Sequence, residues 1–335
     1  MKGRIENQQA VKRKTVEKLD NAPIIVKNYY RRLTQCRSEL TKRQYVNHVL
    51  SFIDFIGGDK KIPTVTANTL AEYQDHIYNE HLKKTGEELK AASIKTRMSS
   101  LNSFFKFCIK EGVLRSNPMD MYDLPLIPDR DKVVVAMDAR EIETVMAAIK
   151  NGVGSDKAID RQARWKTRDK AIIHLALATA LRVEAIIEIN IEDIDFYKAE
   201  LRVIEKRARE RVIYLGHDTI DCLKIWIRDR KEMIGNTKVD ALFVTKYGGT
   251  YKRITSRAVE KIVAKYTSSL DKKITPHKLR STAGNRLYED TGDIYAVADL
   301  LGHSNISTSQ YYAANSERKK KEIAQKLAQA ATGKT

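Results

Sequence analysis

The sequence has little that would staple a fold or span a bilayer. Only three cysteines occur in 335 residues, Cys36, Cys108 and Cys222. They are widely separated, odd in number and contain no Cys-x-x-Cys pair, so neither a disulfide framework nor a zinc site is expected. Glycine, at 15 residues, and proline, at 6, are too sparse for a fibrous or low-complexity chain. No apolar run approaches the roughly 20 residues of a membrane span, and the longest, Ala171 to Leu181, contains His174. The basic start MKGRIENQQAVKRK leads into no apolar signal core, so a cytoplasmic protein is expected. Negative charge is also short: 43 Asp and Glu stand against 61 Lys and Arg, a formal net charge of +18. A polyanion is the expected partner.

What is present is ample for a globular fold, with 42% hydrophobic residues and length for about two domains. Residues 1–22 are polar, charged and aperiodic, which predicts a basic extension without a core of its own. Residues 23–116 read as a helical domain. Tyr45, Val49, Phe52, Ile53 and Ile56 recur at helical spacing and stop at Gly57-Gly58. Leu70, Tyr73 and Ile77 follow an N-cap candidate, Thr66, and Ile94, Met98, Leu101, Phe105 and Cys108 form a third stripe ending at Gly112. Lys42, Arg43, Lys95, Arg97, Lys106 and Lys110 fall on the opposite faces, as solvated charges or as contacts to phosphate. Residues 117–134 hold three of the six prolines and predict a linker, closing on a strand-like Val133-Val134-Val135.

Residues 135–335 read as mainly α with a small antiparallel sheet. Asp138 caps a helix to Ile149, and Asp169 to Leu181 forms a buried one. Leu201 to Lys206 and Arg211 to Leu215 alternate as a hairpin around Arg207-Ala208-Arg209-Glu210, with a further strand at Leu242-Phe243-Val244. Ser256 to Tyr266, Pro276 to Tyr288 and Ile294 to Leu301 read as helices.

The chemistry gathers near the end. Thr275-Pro276 predicts a helix start, which puts His277 and Arg280 side by side in the first turn, where unpaired backbone N–H groups also favour an anion. Twenty residues further on comes Leu300-Leu301-Gly302-His303-Ser304, then Ser307-Thr308 and Tyr311-Tyr312. His-x-x-Arg followed by Leu-Leu-Gly-His and a tyrosine nine residues after that histidine resembles the signature of the tyrosine recombinases, the phage-integrase and Xer-like family. Thr179-Ala180-Leu181-Arg182 resembles the family's first arginine motif, and Lys206 in the hairpin stands at the position of its mobile lysine.

The resemblance implies a SAM-like core-binding domain followed by an α+β catalytic domain, acting on double-stranded DNA. It implies that Arg182, Lys206, His277, Arg280 and His303 surround a phosphate and that Tyr312 attacks it, giving a 3′-phosphotyrosine and a free 5′-hydroxyl. Tyr311 competes by chemistry alone, but the spacing from His303 selects Tyr312 and leaves Tyr311 for packing. The chain departs from the pattern at Ala180, where glycine is usual, at Ala185, where an acid is usual and Glu184 lies one position early, and at Glu205 and Arg207, which replace glycines. Arg209 and Arg211 join Lys42, Arg43, Lys95 and Arg97 as candidate DNA contacts.

Neither an acidic cluster nor a phosphate-cradling glycine loop is present, so no metal and no cofactor is expected. Exchange between two duplexes implies four protomers on DNA, with accessory DNA-bending proteins as further candidates. Residues 316–331, with Ile323, Leu327 and Ala330 on one stripe, are expected to cap their own domain or a neighbour's. Relaxation of DNA in the manner of a type IB topoisomerase and non-catalytic DNA binding on the same fold are the competing readings.

Overall fold

The computed structural model describes residues 2–33, 38–125, 134–204, 210–302, 306, 309–314, 316, 320–321, 323–325 and 327–328. The chain divides into two compact units at residues 130 and 131. Among the described residues no helix is long and apolar enough to cross a membrane.

The first unit contains α1 (Lys2–Leu19), α2 (Ile24–Arg32), α3 (Glu39–Ile56), α4 (Ala67–Thr85) and α5 (Ala91–Lys110). The helices begin and end where local chemistry dictates. Ser38 accepts from the Thr41 N–H at the start of α3, Thr66 and Thr69 form a reciprocal capping box on α4, and Gly57 ends α3 in the left-handed region at φ 78°. Their buried faces meet around Phe52, which packs edge-on to Tyr73 and Phe105 at centroid distances of 5.1 and 5.6 Å.

Residues 1–22, read as a basic extension without a core of its own, are helical from residue 2 onward: α1 lies along α3 and ends on Leu19, which with Ala22 just after it joins the first unit's core. Thr15 is buried with its hydroxyl donated to Val11 O, and the Lys18 ammonium donates to Asn47 on α3 at 3.0 Å. Too few apolar residues lie on α1 to give a periodic signal, and tertiary contact supplies what propensity lacks. At the other end, Asn117 caps a short 3₁₀ turn (Pro118–Met121) whose Pro118 and Met119 are buried against the first unit, so packed structure continues into the segment read as linker.

The second unit runs through α6 (Ala139–Asn151), α7 (Asp156–Ala163), α8 (Lys166–Thr179), α9 (Val183–Glu188), β1 (Ile194–Asp195), β2 (Glu200–Ile204) and β3 (Glu210–Tyr214). It continues with α10 (His217–Ile234), β4 (Val244–Tyr247), β5 (Thr250–Arg253), α11 (Ser256–Tyr266), α12 (Pro276–Thr291), α13 (Ile294–Leu300) and α14 (Gln310–Ala314). Strands β1, β2 and β3 form an antiparallel sheet in that order, with Leu201 opposite both Ile194 and Ile213. β4 and β5 form a separate hairpin across Gly248-Gly249, both at positive φ. Val134 and Val135 are not in a strand; they pack as single residues against two buried clusters.

α8 is the central helix and packs against α10 and α12. Its first turn carries a fully buried carboxylate, Asp169, which accepts from the Arg168 guanidinium on one oxygen and from Lys265 Nζ and the Tyr266 hydroxyl, each at 3.0 Å, on the other. Arg168 also donates to Val244 O and lies 4.1 Å over the Trp165 ring, so one side-chain cluster joins α8, β4 and α11. Burial and the Asp169 charge raise the Tyr266 phenol well above its ordinary value, keeping it a donor. Asp169→Ala is expected to cost about 3–5 kcal/mol, because it strands two cations that share one buried anion. The second unit's unfolding transition in urea measures this; a loss below about 1 kcal/mol would show that the cluster adds little.

Candidate active site

α8 ends at Ala180, which takes the left-handed conformation (φ 52°, ψ 23°) and turns the chain sharply, so that Arg182 becomes the N-cap residue of α9. α12 starts at Pro276, in the position where a missing N–H costs nothing. Thr275 occupies the N-cap position, but its side chain makes no capping bond; its carbonyl accepts from Lys278 and Leu279.

These two starts face each other across a cleft of about 490 Å³. Arg182, Val183 and Glu184 line one side, Glu260 and Ala264 of α11 another, and Lys273 to His277 with Arg280 the rest. Three fixed cations and an imidazole therefore meet two carboxylates in one open site. Lys273, Glu184 and Glu260 were not singled out as cleft residues by motif. Lys273 reaches the cleft from the stretch before α12 and Glu260 through the packing of α11, neither of which a local spacing announces.

Arg280 is 3% exposed and does two jobs at once. Its guanidinium donates to Ala180 O in the first arginine motif and to Leu301 O beside Gly302. Three motifs separated by 120 residues of chain are thus tied through one side chain. His277 sits at the exposed side of the cleft. Desolvation, then the charges of Arg280, Lys278 and Arg182, push its pKa below the ordinary 6.5, with Glu184 pulling weakly the other way. It is neutral at neutral pH and able to accept a proton.

Tyr312 lies on α14, 7% exposed, against α12. Its hydroxyl shares a hydrogen bond with Ser281 and feels the Arg280 charge, both of which favour ionisation, but burial dominates and raises the pKa. A Cβ at Gly284 would stand 3.2 Å from Tyr312 Cζ, so the glycine makes room for the ring. Of the adjacent tyrosines it is Tyr312 that is packed and Tyr311 that is half-exposed, the reverse of the packing role read for Tyr311. Arg182, His277 and Arg280 share the cleft, and Tyr312 is seated on the same helix as the last two. Lys206, Arg209, His303, Ser307 and Thr308 lie outside the described residues.

The candidate DNA contacts divide. Lys42 is corrected: it is 4% exposed, paired with Glu39 one turn earlier and lying 5.9 Å over the Tyr30 ring, because two partners compensate its burial. Lys95 is exposed, and Arg43 and Arg97 are half-buried. Arg211 is half-buried and donates to Leu300 O at 3.1 Å, with Asp299 at 3.8 Å, so it fastens β3 to the end of α13.

A helical unit followed by an α+β unit, with two arginines and a histidine in one cleft and a tyrosine packed on the helix that carries two of them, is the arrangement of a class of DNA strand-transfer enzymes. Residues 136–319 match the phage integrase family and residues 26–112 match the phage integrase N-terminal SAM-like domain, and the chain belongs to that family. It is 32% identical over 228 residues to the tyrosine recombinase XerC of Vibrio vulnificus, covering 68% of this chain and 67% of that protein. The XerC of Escherichia coli O157:H7 is 29% identical over 238 residues, 70% and 74% of the two chains. Among solved structures, XerH bound to its difH substrate after cleavage superposes with a TM-score of 0.66 at 20% identity, over 86% of this chain and 80% of that one. A lambda integrase dimer on a core site gives 0.63 at 19% identity, over 88% and 95%. The protein is a site-specific DNA recombinase of the tyrosine type.

Proposed function

We propose that Arg182, His277 and Arg280 hold the scissile phosphate while Tyr312 attacks it. The Tyr312 oxygen bonds to phosphorus as the bond to the 5′-oxygen breaks. His277 takes the phenol proton, and Lys206 gives one to the departing oxygen. The planar guanidinium groups match phosphate oxygens in pairs and stabilise charge that builds up in the transition state. The 5′-hydroxyl of a second duplex reverses the step, so exchange conserves bond energy. His303 adds a donor to the phosphate. The observation that supports this most is the joint anchoring of both arginine motifs and the Leu301 segment by Arg280, with Tyr312 seated on the same helix.

Arg43, Lys95 and Arg97 of the first unit, with Arg209 of the second, are read as backbone contacts; binding through them weakens as salt rises. Two duplexes require four protomers, working in the cytoplasm at the nucleoid. The test is strand exchange between two labelled duplexes carrying a site selected by binding from a random pool. Joined products without added nucleotide support the reading, and relaxation of supercoiled DNA with no joined product would overturn it.

The role of His277 has its own signature. Single-turnover cleavage is expected to stay level as pH falls to 6.5 and to decline only below it, since the folded pKa is depressed and protonation removes the acceptor. His277→Gln is expected to lose that limb. A decline centred above pH 6.5 in the parent and unchanged in the variant assigns the titration to another group.

A further inference from the structure

The geometry points to Arg253 as a positioning residue for Arg182. This rests on the reading of Arg182 as a phosphate contact. α9 has six residues, about 9 Å of helix, too short to hold its own direction. Arg182 is its N-cap residue, so any swing of α9 moves that guanidinium across the cleft. The start of the segment is tied by Arg280 through Ala180 O. At the far end, Arg253 Nη1 donates to Ile187 O at 2.8 Å and to Ile189 O at 3.2 Å, and Nη2 donates to Asn190 Oδ1.

Backbone pairing with the strand-like stretch before β4 fixes the chain from Ile189 onward, through Leu242 N to Ile189 O and Ile191 N to Asp240 O. Arg253 reaches one step further, to a carbonyl within α9 itself. A cation against the terminal carbonyls also suits the negative end of the helix. Arg253 closes β5, and Thr255 two residues later caps α11, which carries Glu260 and Ala264 into the cleft. One side chain therefore ties the end of α9 to the strand that leads into the helix forming another wall of the cleft. Arg182 stands between two guanidinium-held stretches of backbone, one on each side.

A lysine cannot reproduce the fork, because one ammonium does not span three acceptors in this arrangement. Arg253→Met and Arg253→Lys are therefore compared with the parent for DNA affinity and for single-turnover cleavage of two substrates. One carries the normal phosphodiester, the other a neutral methylphosphonate at the scissile position, which lacks the negative oxygen that Arg182 stabilises. Both variants are expected to bind DNA as the parent does and to cleave the phosphodiester about 100-fold more slowly, the scale of a misplacement of about 1 Å. On the methylphosphonate the loss is expected to shrink to within a few-fold. In an Arg182→Lys background, adding Arg253→Lys is expected to cost no further rate, since residues acting as one unit are not additive.

Equal losses on both substrates, or full additivity with Arg182→Lys, would overturn the inference in favour of general support of the fold. No loss in Arg253→Lys overturns it outright. Arg182→Ala runs alongside: if that variant cleaves the phosphodiester normally, the phosphate role of Arg182 fails instead, and the positioning role falls with it. Should Arg253→Met not fold, Arg253→Lys and Asn190→Ala, which removes one acceptor, carry the comparison.

Discussion

Tyr312→Phe is expected to abolish the covalent protein–DNA adduct while leaving DNA affinity within about twofold of the parent. The substitution removes one oxygen from a ring already seated over Gly284, so the apolar packing around it is retained. What disappears is the atom that bonds to phosphorus, and no neighbouring group replaces a nucleophile lost from its seat. The hydroxyl's bond to Ser281 is lost as well, which costs about 1 kcal/mol of stability and no more. An SDS gel of protein incubated with a nicked duplex reads the adduct directly. Tyr311→Phe is the companion experiment and is expected to keep the adduct; loss there and not in Tyr312→Phe would move the nucleophile by one residue.

Arg280→Ala is expected to damage both folding and chemistry. Ala180 O and Leu301 O would lose their buried donor, at about 1–3 kcal/mol each. Cleavage is expected to fall by at least about 100- to 1000-fold, the range for removal of one preorganised charge-stabilising donor. Arg280→Lys separates the two effects. It keeps a cation near the phosphate but cannot span both carbonyls, so much of the stability loss is expected to remain. The second unit's unfolding transition and the single-turnover rate, measured on the same preparations, test this. A stable Arg280→Ala would show that the carbonyl bonds contribute little, and an active one would remove Arg280 from the site.

Much of this architecture was legible because its signals are local. α11 spans Ser256–Tyr266 as periodicity predicted, α12 begins at Pro276 because proline suits that position, and Asp138 caps α6 as expected, with Glu141 completing a box that the expectation did not include. The hairpin of β2 and β3 follows its alternating pattern. What escaped is non-local. Nothing in the polar run of α1 announces that α3 will cover it. Lys42 reads as a solvated charge until Glu39 and Tyr30 are seen beside it, although the Glu-x-x-Lys spacing was available. The β4–β5 hairpin had a signal in Gly248-Gly249 that a short apolar run before it obscured. At the site, Arg182, His277 and Arg280 were carried by motif, whereas Lys273, Glu184 and Glu260 join them through three-dimensional packing.

Ala180 shows how a departure from the motif can be nearly silent in one quantity and audible in another. A left-handed alanine costs about 1 kcal/mol against glycine. Its methyl group, fully buried, belongs to the same cluster as Val297, Leu301 and Tyr312, and a buried methyl returns about 0.8 kcal/mol. The two terms cancel within their spread, so folding free energy scarcely registers which residue stands there. The mechanical linkage does register it. The Arg280 bond to the carbonyl of residue 180 would survive a change to glycine; what alanine adds is a methyl group in the apolar cluster that also holds the Tyr312 ring, a second connection between the turn that aims Arg182 and the seat of the attacking oxygen.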